Sequence, residues 1–127
     1  MAGEADLAVL LRSMQPELHA ASYGYAVTDR AVVGAFAQVA EAEGMTVIAT
    51  LQVLQAHGIV VEPAWARISL TVHSDLAAVG LTAAIAQALA ATGISANVVA
   101  GFYHDHVFVP WGRRLDAMAA LRGLSNA

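Results

Sequence analysis

The residues whose types and spacing come nearest to a chemical site are His104, Asp105 and His106, with His73 further back in the chain. If 104–106 lay on a strand, both imidazoles would point to one face, as two metal ligands require, and His73 or Asp75 would have to supply a third. A metal-dependent hydrolase using His73, His104 and His106 is therefore one expectation. The plainer one is a hairpin turn in which Asp105 is a turn residue and the histidines are solvated or hydrogen-bonded. Ser74, His73 and Asp75 contain the residue types of a nucleophilic triad. Consecutive strand residues point to opposite faces, however, and the chain has no GxSxG elbow, so capping is the better expectation for Ser74 and Asp75. No catalytic residue is assigned.

Composition removes other chemistries. The 127 residues include no cysteine and no lysine, which excludes thiolate nucleophiles, zinc–thiolate sites, Schiff-base catalysis and a P-loop lysine within this chain. Ten acids against six arginines give a formal charge of −4, the wrong sign for a protein that grips a nucleic-acid backbone. No cofactor is expected. Hydrophobic residues make up 58% of the chain, but 29 of them are alanine, so the excess is small side chains rather than a membrane-like core. The stretch from Leu76 to Phe102 has no charged residue. It is nevertheless diluted by alanine, glycine, Thr82, Gln87 and Thr92, and Gly93 reads as a helix stop, so a buried soluble helix is expected rather than a span. The N-terminal MAGEADLAVLL carries acids where a secretory signal carries basic residues, and a cytoplasmic protein is expected.

The elements that must position these residues follow from periodicity. Glu4 to Ser13 places Leu7, Leu10 and Leu11 at helical spacing and predicts a helix ending near Pro16. Tyr23 to Thr28 reads as a strand. The spacing over 32–42 fits a helix or a hairpin strand, and the Glu41–Gly44 turn ahead of Met45 to Ala49 favours the hairpin. A short helix from Thr50 to His57 stops at Gly58, and Ile59 to Val61 begins another strand. Ala66 to His73 alternates in period two, a strand with one buried face. A helix from about Leu76 or Leu81 to Thr92, strands at Ile94 to Phe102 and His106 to Pro110, and a helix from Arg113 to Leu124 complete the chain. This order predicts an α+β sandwich with helices on one sheet face, in two halves, residues 1–62 and 63–127.

Backbone groups are the remaining chemistry. Gly80 sits where the chain enters a helix, where exposed N–H groups favour a carboxylate and the missing Cβ admits a ligand. Asn97 can add an amide. Equally, Gly80 can simply relieve crowding under the sheet.

The stretch TVHSDLAAVGLTAAIAQALAATGISANVVAGFYHDHVFVP, Thr71 to Pro110, resembles the ACT domain in its small stand-alone bacterial form with two ACT-like halves. LLRSMQPELH at Leu10 to His19 and EGMTV at Glu43 to Val47 match that group as well. The resemblance implies a ferredoxin-like βαββαβ fold with antiparallel sheets and a regulatory, non-catalytic module that binds small molecules, usually amino acids, between paired domains. It places the ligand loop at His73, Ser74, Asp75, Val79, Gly80 and Leu81, and the neighbouring strand at Asn97, Val98 and Val99. The longer spacer from Asp75 to Val79-Gly80, without proline, departs from the usual loop. The expectation is an amino-acid-binding or sensing homodimer or higher homo-oligomer in which N–H groups of Gly80 to Thr82 hold the ligand carboxylate and Asp75 or Asn97 its ammonium. The alternative is a homo-oligomeric interaction module with no ligand.

Overall fold

The computed structural model describes residues 6–71 and 79–125. Its first half holds α1 (Leu7–Ser13), β1 (Pro16–Thr28), β2 (Ala37–Glu41), β3 (Gly44–Thr50) and α2 (Leu51–Ala56). The second holds β4 (Trp65–Leu70), α3 (Leu81–Ala90), β5 (Asn97–Ala100), β6 (Asp105–Pro110) and α4 (Arg114–Ser125), the last preceded by a 3-10 turn at Trp111–Arg113.

Local chemistry sets several boundaries. The Asp6 carboxylate accepts from the Val9 N–H at 3.2 Å, and Thr50 Oγ1 from the Val53 N–H at 3.1 Å, so each caps the helix that follows. Gly58, at φ +75°, ends α2, and the Ile59 N–H returns to the Leu54 carbonyl at 2.9 Å. That bond is the reason the strand expected at Ile59–Val61 is absent, because its first amide closes the helix instead. The hairpin reading of 32–42 holds for its second part: β2 pairs with β3 from Ala37↔Ile48 to Glu41↔Gly44, while 32–36 is loop.

β1 is the largest departure from expectation, beginning at Pro16 rather than Tyr23. Its early part is weakly patterned because a register shift between Leu18 and Ser22 breaks the alternation. Proline is tolerated there as the first residue of the strand.

All strands join one antiparallel sheet in the order β2-β3-β1-β4-β6-β5. The order is symmetric about its centre. One half supplies β2-β3-β1 with β4 in fourth place; the other supplies β5-β6-β4 with β1 in fourth place. Two four-stranded units are thus made from six strands, because β1 and β4 each serve both. The fold is α+β and ferredoxin-like, as the sequence predicts, with one loss: residues 29–36 replace the helix that α3 provides in the second half.

The four helices cover one face. Ala66, Ile68, Leu70, Val107 and Val109 meet Leu10 of α1, Leu81, Ile85 and Leu89 of α3, and Met118 and Leu121 of α4. Ala26, Val47 and Ala49 meet Leu54 of α2. No helix among the described residues is long and apolar enough to cross a membrane.

Candidate functional site

The helix-free face is far from bare. Pairing places Tyr23, Tyr25, Ile48, Trp65, Arg67, Ser69, His106, Phe108, Asn97 and Val99 on it. Phe36, just ahead of β2, packs onto the same group. Phe108 is fully buried and at the centre, edge-to-face with Tyr23, Phe36 and Tyr25 at 5.5, 5.6 and 5.8 Å between centroids. The strand Ala66–His73 was expected to have one buried face. In fact Ser69, on its other face, is only 5% exposed.

Beside the rings lies a polar chain. His19 Nε2 is 2.7 Å from Ser69 Oγ, which is 2.8 Å from His106 Nδ1. Arg67 donates one N–H to Tyr23 Oη at 3.0 Å and another toward His106 Nδ1 at 3.4 Å. Since guanidinium only donates, His106 Nδ1 is the acceptor and its proton is on Nε2. Burial, and then the Arg67 charge, push the His106 pKa down to about 4, and the same two causes lower that of His19. Both rings are therefore neutral at pH 7.

The expected sites can now be located. His73, Ser74 and Asp75 lie outside the described residues, as do the third metal ligand and the triad that needed them. Among the described residues no group of three or more His, Asp or Glu side chains is placed to hold a metal. His104 stays in the turn closed by Gly101 N–H to His104 O at 2.9 Å, while His106 faces Ser69 and Arg67, and a neighbouring guanidinium repels a metal cation. Asp105 is buried at the end of β6 between Leu70 and Ala100, where desolvation raises its pKa.

Gly80 caps α3 at φ +99°, and an added Cβ would lie 3.0 Å from Leu7 Cδ2, so both its conformation and α1 call for glycine. Val79 is exposed, and Leu81 is buried in the core, leaving only its backbone for a ligand. Asn97 pairs with Phe108 near the Thr92 end of α3, where Arg113 donates to the Thr92 carbonyl at 3.0 Å. The helix is ten residues long, so Gly80–Thr82 are about 15 Å from that end. Val98 packs into the helix-side core while Asn97 and Val99 face the other way. Within one chain, then, Asn97 and Gly80 are on different faces and are not brought together.

Cavities open elsewhere. One of about 530 Å³ lies at the exit of β1, lined by residues 27–32 with His57 and Ile59, and holds the exposed Asp29–Arg30 pair at 3.3 Å. It occupies, in the first half, the strand-to-helix loop at which Gly80 stands in the second. The sequence signal for it, Asp29-Arg30 closing a strand, was legible but carried no spacing that marked a site. The Arg67 cluster had a fainter signal: VFV at 107–109 is apolar on both faces, which implies that both faces are covered.

ACT domain models match residues 2–65 and 60–123. The chain belongs to the ACT domain family. A solved Vibrio cholerae protein of unknown function, described as a possible transport protein, is 41% identical, with 94% of this chain and 95% of that chain covered and a TM-score of 0.83. A solved Agrobacterium tumefaciens protein shares the fold at 17% identity, covering 88% and 89%, with a TM-score of 0.73. The regulatory subunit of aspartate kinase from Thermus thermophilus shares it at 14% identity, covering 89% and 98%, with a TM-score of 0.60. No curated protein matches the sequence.

Proposed function

We propose that this ACT protein is a regulatory module that binds a small molecule of the amino-acid class and performs no catalysis. The observation that carries the reading is the cavity at the exit of β1, whose volume of about 530 Å³ is that of a small-molecule site and whose mouth holds one carboxylate and one guanidinium, the two charges that complement a zwitterion. The equivalent loop of the second half, with His73, Ser74, Asp75, Val79, Gly80, Leu81 and Thr82, is the second proposed site, completed by Asn97, Val98 and Val99 of a paired domain. Pairing of two copies would bring those two sets of residues together, and a ligand favouring the paired state would stabilise it by linkage. The resemblance in fold to an aspartate kinase regulatory subunit supports a regulatory role.

Thermal denaturation against each standard amino acid tests the proposal. A ligand at ten times its Kd adds about 1.4 kcal/mol, a rise of roughly 5 °C in Tm for a chain of this size. Asp29→Asn should abolish the rise if the first loop binds, and Asn97→Ala if the second does. Both side chains are at the surface, so neither variant should alter the unliganded Tm. If no amino acid raises Tm at millimolar concentration, the reading is wrong.

A further inference from the structure

Arg67 is a cation in the middle of a sheet with no anion beside it. Its side chain is half-buried, its guanidinium carbon is 4.0 Å from the Phe36 ring centroid and 5.8 Å from that of Tyr23, and its hydrogen-bond partners, Tyr23 and His106, are neutral. Its Nε–H is buried without a partner. The ion pairs among the described residues are Arg30–Asp29 and Arg113–Asp116, so no described carboxylate serves Arg67. Ring faces and neutral acceptors compensate a half-buried guanidinium only in part, and a carboxylate is the group that its planar fork fits.

The geometry points to an oxyanion-binding site on the helix-free face, formed by Arg67 with His19, Ser69 and His106, for a small monocarboxylate. Three further observations fix that chemistry. The histidines are neutral, so Arg67 is the one positive charge among these four side chains and no described carboxylate pairs with it. Glu17, exposed on the same face opposite Ser69, repels any anion, but a phosphate dianion more than a monocarboxylate, and so favours the singly charged ligand of the two. The part-exposed ring of Phe36, backed by the buried Tyr23 and Phe108, suits a small apolar body behind the carboxylate. With its proton on Nε2, His106 offers a donor beside the guanidinium. This site is separate from the amino-acid cavity at the exit of β1 and does not rest on it.

The test is an NMR titration of the imidazole signals with sodium acetate, with sodium phosphate, and with sodium chloride at matched ionic strength. His106 is faced by Arg67 and Ser69 on β4, His19 on β1 with Glu17 acting on that ring in turn, Phe36 ahead of β2 and His104 in the preceding turn, so a bound carboxylate is the added negative charge that raises its pKa. Acetate should move the His106 and His19 signals saturably and raise the His106 midpoint, with phosphate weaker by about tenfold and chloride without saturation. Arg67→Gln should remove the acetate response while leaving any amino-acid-induced rise in Tm intact. Should that variant fail to fold, Arg67→Lys and Tyr23→Phe, which keep charge or ring, should each bind acetate more weakly. Equal responses to acetate and chloride, an unchanged response in the Arg67 variants, or signals that follow protein concentration instead of acetate, as when a second copy covers the face, would each overturn the proposal.

Discussion

His106 makes the fold sensitive to mild acid. In an unfolded chain its imidazole takes up a proton near pH 6.5, whereas in the folded protein it does so only near 4. Between those values the unfolded chain holds more protons, so stability is full above pH 6.5, falls as pH drops toward 4, and levels off below. His19, lowered for the same reasons, adds a loss of the same sign. Thermal melts across that range should show Tm falling between pH 6.5 and 4, and His106→Asn should flatten the slope; an unchanged slope in the variant would move the effect elsewhere. The partners behind this sensitivity are 37 and 50 residues apart in sequence from one another. No local spacing can show them, which is why the HDH run suggested a metal while Ser69 and Arg67 passed as the solvent side of a strand.

The short helix α2 depends on a residue with no side chain. A Cβ at Gly24 would stand 2.6 Å from Val61 Cγ2 and 2.9 Å from Leu51 Cδ2, so β1 admits α2 and the following segment only because position 24 is empty. Gly24→Ala should cost about 1–3 kcal/mol in denaturant unfolding, through displacement of α2. A cost near zero would mean the segment shifts freely. Elements whose alternation or capping is unbroken, such as β4, β6, α2 and α4, were legible to within a few residues. β1 was not, because the two-residue register shift between Leu18 and Ser22 interrupts its alternation over 19–21, and Ile59–Val61 was misread because three apolar residues look alike whether they pair in a sheet or cover a helix end.

At the scale of the molecule, the two halves are legible as two motifs but not as two bodies. Both β1 and β4 complete the other half's sheet, so residues 1–62 alone lack the strand that should lie beside β1, and 63–127 alone lack the strand beside β4. Each fragment should show no cooperative thermal transition, and mixing them should restore one. Two independently folded fragments would refute the shared-strand account. The same sharing constrains how the chain is made. Synthesis delivers β1 first, yet the edge that begins at Pro16 stays open until Trp65–Leu70 has left the ribosome, and β4 in turn waits for Asp105–Pro110. A nascent strand rich in alanine and tyrosine thus spends several seconds with an open edge, at synthesis rates of roughly 5–20 residues per second. The stage at which this small protein is most exposed to aggregation is therefore its own translation, before the second half exists to close the first.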